Sequence, residues 1–199
     1  MIPPARLGMR GLAAVLLFAA PAGASIVSRL ENETARSFAA RNGPPRAALA
    51  HQVIETRAFA GRSKAIIAFY EQAGDRIEGW IYLPEGQGRY RKVAIDTFQP
   101  EGAEPEIESA FFADAGGRRK LVVLCSWPQI HQDVRGRLYG VFVYQAPRPG
   151  STAAKLKFEA AISKKLESGC DCEWRDGKKT TARYKTAAQV RAALRKMAP

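Results

Sequence analysis

Ser126, His131 and Asp133 are the residue types of a hydrolase triad, and they lie close together in the chain. A triad needs a nucleophile within hydrogen-bonding reach of a base that a carboxylate orients, and this depends on geometry in space rather than on sequence spacing. The Gly-x-Ser-x-Gly turn that presents many catalytic serines is absent. Ser126 instead belongs to an apolar run. The pattern therefore favours a strand serine followed by polar loop residues, with a small hydrolase as the alternative.

The three cysteines offer thiol chemistry, a metal site or a disulfide. Cys125 with His131 or His51 has the groups of a thiol nucleophile and its base, but it lies in the most apolar stretch of the chain, where burial disfavours the thiolate. Cys170 and Cys172 are closer together than structural zinc ligands usually are, and no second pair is present. We therefore expect no metal and no cofactor. The sequence leaves open a disulfide between Cys170 and Cys172, a disulfide from one of them to Cys125, or free thiols, and the odd count leaves at least one thiol.

Four glutamates lie at the start of a predicted strand: Glu101, Glu104, Glu106 and Glu108. Calcium favours several carboxylates that converge from a loop. Glu106 and Glu108 alternate onto one face of the strand, however, and a solvated sheet edge explains them as well. We expect the solvated edge.

Residues 112–123 (FADAGGRRKLVV) resemble the repeat hairpin of FG-GAP-type propellers. In that motif an aromatic residue and Asp precede an acidic calcium loop, and an apolar strand follows. Gly116, Arg118 and Arg119 stand here where carboxylates would be needed, so the resemblance implies a strand-turn-strand unit without a calcium site. The layout of residues 88–144 and the Cys-Asp-Cys hairpin are also similar to uncharacterised exported, periplasmic proteins of Gram-negative bacteria. That resemblance implies no activity.

Short runs rich in β-branched and aromatic residues, each bounded by Gly, Pro or Asp, predict six strands. They cover residues 64–71, 76–83, 90–98, 106–113, 120–127 and 137–145. Because the connections are short, an antiparallel meander in a single sheet is the economical topology. Residues 120–127 are apolar on both alternating faces, which predicts a central strand covered on both sides.

Helical patterns precede and follow these strands. A helix is expected over residues 46–60, and another is expected to run from a Ser151 cap to about Glu167. Residues 171–174 and 180–184 favour a small hairpin, because Asp-Gly between them is a preferred two-residue turn.

The last helix has the clearest start signal. Thr186 is its N-cap and Gln189 stands three residues later, which together make a capping box. Ala187, Val190 and Leu194 then form an apolar stripe. The sequence thus predicts an α+β fold: an antiparallel sheet of about six strands, with a C-terminal helix, a small hairpin and the final helix packed on it.

The first 24 residues have the parts of a cleavable signal peptide. Arg6 and Arg10 precede an apolar run at residues 11–20, and small residues end at Ala24. The run is shorter than the roughly 20 residues that a bilayer span needs. We therefore expect a periplasmic or secreted protein, cleaved near Ala24 and Ser25, without a transmembrane anchor after cleavage. Residues 25–45 are interpreted as an arm and linker, and residues 46–199 as one domain.

Positive charge is concentrated at the end of the chain. The whole sequence carries +12, and from Gly150 onward 12 Lys and Arg stand against 5 Asp and Glu. A cationic surface attracts polyanions, and outside the cytoplasm these are lipid head groups, glycans and other proteins. The candidate contacts are Lys178, Lys179, Arg183, Lys185, Arg191 and Arg195.

These observations favour a non-enzymatic function. We expect an exported, soluble module that binds an envelope protein or an anionic envelope surface through its basic last quarter. The alternative is a small extracytoplasmic hydrolase that uses Ser126 or Cys125. Nucleic acid is not expected as a partner, because export removes the protein from it.

Overall fold

The computed structural model of this protein describes residues 24–57, 64–147 and 151–197. In those ranges the chain forms two five-stranded antiparallel sheets and three helices. The expected antiparallel structure is confirmed, and the protein is mostly β. The expected single six-stranded meander is wrong, because the strands divide between two sheets. The predicted signal peptide lies outside the described residues except for Ala24.

The first sheet, sheet A, contains β1 Ser25–Ser28, β2 Ile54–Thr56, β3 Ala65–Gln72, β4 Arg76–Gly86 and β5 Arg89–Phe98, in the spatial order β1-β5-β4-β3-β2. Sheet B contains β6 Glu106–Ala115, β7 Arg118–His131, β8 Val134–Gln145, β9 Gly169–Trp174 and β10 Lys179–Thr180, in the order β10-β9-β8-β7-β6. The helices are α1 Ala35–Asn42, α2 Ala160–Lys165 and α3 Ala187–Lys196.

The chain changes sheets between β5 and β6. This connection contains Pro100 and Pro105, which have no N–H to donate to a strand ladder. β6 starts a new sheet after this connection, and the two sheets pack face to face around a shared core. Ile67 and Phe69 of β3 enter this core from one side, and Val123 of β7 enters it from the other. Strands covered on both faces look alike in sequence whichever sheet they join.

Helices cover parts of both outer faces of this sandwich. α1 lies on sheet A, where Phe38 is fully buried against Tyr82 and Tyr90. α2 and α3 lie on sheet B, where Val190 and Leu194 of α3 are fully buried. The expected docking of the last helix on a sheet is therefore seen, with its capping box formed.

Residues 154–159 form a strap that joins the two sheets along one side. β1 pairs with β5 only as far as Lys92, so the next part of that edge is open to the strap. The Ala94 N–H donates to the Ala154 carbonyl at 2.8 Å, and the Leu156 N–H donates back to Ala94 at 2.8 Å. The Glu159 N–H then donates to Val143 of β8 at 2.8 Å.

The strap replaces part of an expected helix. The helix predicted from Ser151 to Glu167 is limited in the structure to α2, because residues 154–159 use their backbone groups on the sheet edges. The side chains support this choice: Leu156 is buried in the shared core, and Lys155 pairs with Asp96 at 2.6 Å.

The remaining elements differ in how well the sequence predicted them. Residues 25–45 contain β1, which is an edge strand of sheet A, and α1, which packs on that sheet. The helix expected over residues 46–60 is not formed in its described part, 46–57, which contains β2 instead. The expected hairpin is present as β9 and β10. Within the described ranges, no helix is long and apolar enough to span a membrane.

Candidate functional site

Ser126 is the buried member of a polar cluster on the outer face of sheet B, whose charged members are partly exposed. Its side chain has no exposed area, and its Oγ donates a hydrogen bond to Glu108 Oε1 at 2.6 Å. Arg137 Nη1 donates to the same Oγ at 2.8 Å and reaches Glu106 Oε2 at 2.6 Å. Ser126 therefore links β6 to β8, and its hydroxyl is engaged on both its donor and its acceptor side.

The structure does not bring Ser126, His131 and Asp133 together. Successive side chains of a strand point to opposite faces, so Ser126 and His131 of β7 lie on different faces of sheet B. His131 packs beside Gly102 in the β5–β6 connection. Asp133 lies in the β7–β8 turn, where it faces Arg175 at 3.7 Å.

Cys125 points into the shared core between the sheets. It is fully buried, and burial raises the pKa of its thiol to about 12. The thiol is therefore held in its neutral form at physiological pH, which is unfavourable for a nucleophile. Cys125 is unbonded, so neither predicted pairing with the later cysteines is formed.

Cys170 and Cys172 form a close pair on β9, with their Cα atoms 5.2 Å apart. The opposing residue on β8 is Gly136, which pairs with Cys172 and has φ +155°. A Cβ at this position would collide with the Asp171 carbonyl oxygen. Gly136 thus allows the Cys-Asp-Cys segment to lie close against β8.

The acidic residues at the start of β6 have cationic or solvent neighbours. Arg137 pairs with Glu106 at 2.6 Å and approaches Glu108 at 3.4 Å. Glu101 and Glu104 are exposed in the preceding connection. Across the described residues, no group of three or more His, Cys, Asp and Glu side chains is arranged to hold a metal ion.

Three of the six cations proposed as anion contacts are engaged within the protein. Lys179 pairs with Glu173 at 3.2 Å, and Lys185 pairs with Asp171. Arg191 donates to the Phe112 carbonyl at 2.7 Å and stacks over the neighbouring Phe111 ring at 4.0 Å. The other three, Lys178, Arg183 and Arg195, are exposed.

An open cleft of about 460 Å³ lies between the end of α2, the segment before α3, and α3 itself. Three exposed cations, Lys165, Arg183 and Lys196, stand around it. The rest of its lining is neutral and consists of Tyr184, Gln189, Ala192, Ala193 and Met197. Since none of the described residues that line the cleft is a carboxylate, all of its charged lining residues are positive. We call it the α2–α3 cleft.

Helical geometry brings the α3 part of this lining together. Gln189, Ala193 and Lys196 are separated by four and three positions, which places them along one helix face. The stripe of Val190 and Leu194 is buried on sheet B, Ala193 is half-buried beside it, and Gln189 and Lys196 remain exposed. The capping box fixes its first member, because Gln189 Oε1 accepts from the Thr186 N–H at 3.1 Å.

Of the three cations around the cleft, only Arg183 was among the candidate anion contacts chosen from the sequence. Lys196 had a usable signal, since its spacing from Gln189 marks a second, polar face on α3. Lys165 had none, because it reaches the cleft through the fold of α2 over β8. Arg183 is additionally oriented by the Tyr184 ring, 5.2 Å from its guanidinium carbon.

No family model, no curated protein and no solved structure matches this chain.

Proposed function

We propose that this protein is an exported, non-enzymatic envelope module that binds an anionic phospholipid surface through the α2–α3 cleft. The observation that carries the proposal is the lining of that cleft: three exposed cations around a neutral, largely apolar floor, without a carboxylate among the described residues. Export rests on the charged and apolar segments at the N-terminus.

The cleft cations are suited to a ligand because none of them forms an ion pair with a carboxylate of the described residues. Lys179, Lys185 and Arg191 are engaged within the protein, whereas Lys165, Arg183 and Lys196 extend into solvent around one cleft. Each basic residue near an anionic membrane contributes about 1 kcal/mol of attraction.

The apolar part of the lining favours a lipid surface over an acidic protein or a glycan. Tyr184 and Met197 stand beside the cations, and a side chain with an apolar body and a polar tip is suited to the boundary between head groups and acyl chains. The buried Ser126 hydroxyl, engaged by Glu108, and the neutral Cys125 thiol offer no comparable support for a hydrolase.

Vesicle flotation tests the proposal. The purified protein is expected to float with vesicles that contain phosphatidylglycerol and to stay behind with pure phosphatidylcholine. Added salt is expected to release it, because screening weakens surface electrostatics. The triple variant Lys165→Glu, Arg183→Glu and Lys196→Glu should lose affinity by at least a factor on the order of 100, because losing three cations removes about 1 kcal/mol each and the new carboxylates add repulsion.

A matched triple variant controls for net charge. Arg36, Arg76 and Arg89 are exposed on the sheet A half of the protein, and their replacement by Glu changes the charge equally. This control should lose less than about tenfold in affinity. Equal losses in both triples, or wild-type binding that ignores phosphatidylglycerol, would contradict the proposal. Binding instead to an acidic envelope protein or glycan would assign the cleft to another class of partner.

A further inference from the structure

We infer that the α2–α3 cleft accommodates a single phospholipid molecule, with its phosphate between the cations and the beginning of its acyl chains on the apolar floor. The inference rests on the proposed function and names the ligand of the same site. The cleft would then be a pocket that binds one lipid molecule, and not only a charged surface that is attracted to a membrane.

The size of the cleft supports one bound molecule. Its volume of about 460 Å³ lies within the roughly 300–1,000 Å³ that is usual for small-molecule sites. The space exists because α3 carries the short side chains Ala192 and Ala193 where they line the cleft. Longer residues at these positions would leave the same charges on a filled surface.

The distribution of chemistry in the cleft matches an amphiphile. Lys165 comes from α2, Arg183 from the segment before α3, and Lys196 from the last turn of α3, so three separate segments each supply one cation to the cleft. A phosphate accepts hydrogen bonds from several donors at once. The two alanines and Met197 form an apolar surface next to these cations, and a flexible Met adapts to irregular apolar groups.

The tyrosine in the cleft also favours a lipid over a nucleotide. Arg183 already covers the Tyr184 ring, with 5.2 Å between its guanidinium carbon and the ring centre. Tyr184 is the sole aromatic residue among the described residues of the lining. Base recognition commonly stacks a base on an exposed aromatic face.

Calorimetry with monomeric lipids tests the inference. Dihexanoylphosphatidylglycerol, kept below its micelle concentration, is expected to bind with one-to-one stoichiometry. Glycerophosphoglycerol has the same phosphodiester head group without the chains, and dihexanoylphosphatidylcholine has the chains without the net charge. Each should bind at least about tenfold more weakly. Equal affinity for glycerophosphoglycerol would overturn the acyl part of the inference and leave a simple phosphate site.

A cleft-filling variant tests whether the lipid monomer occupies the cleft. Ala192→Trp keeps every charge but fills the cleft, and it should weaken the binding of dihexanoylphosphatidylglycerol by about tenfold or more. Ala188→Trp places the same side chain on an exposed position of α3 outside the lining and should change monomer affinity by less than about twofold.

The outcomes distinguish the two claims. If the vesicles bind through the three cations but the lipid monomer does not bind, the single-molecule inference fails and the surface proposal stands. If Ala192→Trp and Ala188→Trp bind the monomer equally well, the lipid sits elsewhere and the inference also fails. Thermal melting checks that each variant is folded, and Ala192→Leu is a smaller filling residue should the Trp variant unfold.

Discussion

The two outer faces of the sandwich differ in how their helices cover them. On sheet A, α1 buries Phe38 completely, and the Tyr70 hydroxyl donates to the Ala39 carbonyl at 2.7 Å. On sheet B, α2 and α3 bury an apolar stripe but leave the α2–α3 cleft open, with exposed Lys165 and Lys196 beside it. A face closed by a packed helix serves stability, whereas an open face lined by exposed cations is available to a ligand.

Removing the largest side chain of α1 is expected to have the greatest effect. Phe38→Ala deletes a fully buried ring that packs on two tyrosines, and it should cost about 3–5 kcal/mol in the free energy of unfolding. Ile162→Ala is the counterpart on the open face, where the side chain is only partly buried, and it should cost clearly less. Urea denaturation measures both. Equal losses would remove the contrast between the faces.

The Tyr82 hydroxyl offers a pH-dependent test of the closed face. It lies 2.8 Å from the Tyr70 hydroxyl and 3.1 Å from the Asn42 carbonyl, and burial raises its pKa from 10.0 to about 12. The folded protein keeps the phenol neutral where the unfolded chain ionises it. Its contribution to stability is therefore complete below pH 10 and is lost as the pH rises towards 12.

Tyr82→Phe should therefore lose about 1 kcal/mol at neutral pH and show a shallower loss of stability under alkaline conditions. Urea denaturation of wild type and variant at a series of pH values measures both effects. Tyr184→Phe on the open face is the matched control, and it should cost less than about 0.5 kcal/mol at neutral pH. If Tyr82→Phe lost as much stability as the wild type under alkaline conditions, the Tyr82 phenol would not be the group responsible for that loss.

Two cations of α3 sharpen the comparison within the open face itself. Arg191→Ala removes the bond to the Phe112 carbonyl and the stacking on Phe111, so it should cost about 1 kcal/mol of stability. Lys196→Ala should change stability by less than about 0.5 kcal/mol. Vesicle binding should show the opposite order, with the greater loss in Lys196→Ala. If the same variant lost more in both measurements, Arg191 and Lys196 would not have separate structural and binding roles.

The sequence predicted most strands but not their division between sheets. The runs that became β3 to β8 carry β-branched and aromatic residues between turn residues, so local preference was sufficient to find them. Their pairing depends on which faces meet across the shared core. The sequence does not show that Val123 faces this core while Val122, its neighbour on β7, faces the helices. A single sheet was therefore predicted where two exist.

Elements defined by tertiary contacts were missed for the same reason. The strap around Leu156 has near-helical apolar spacing, but open edges on β5 and β8 supply hydrogen-bond partners that no local pattern reveals. β2 was expected to be part of a helix and instead pairs with β3. The capping box of α3 was predicted correctly, because Thr186 and Gln189 make their bonds within four residues.

The candidate site shows the same limit. The last quarter was correctly seen as basic, but its sequence does not distinguish Lys185, which pairs with Asp171, from Lys196, which stands at the cleft. Only the fold shows which positive side chains the protein has already used.

The strap also has a consequence for how this protein behaves at high concentration. Open strand edges are where foreign chains add to a sheet and begin aggregates. Ala94 and Val143 would otherwise offer backbone groups on neighbouring edges, and one stretch of chain occupies both. The two sheets cannot separate along this side without breaking the hydrogen bonds of the strap to both of them. The strap therefore holds the sheets together, and it also occupies two edges to which another chain could add.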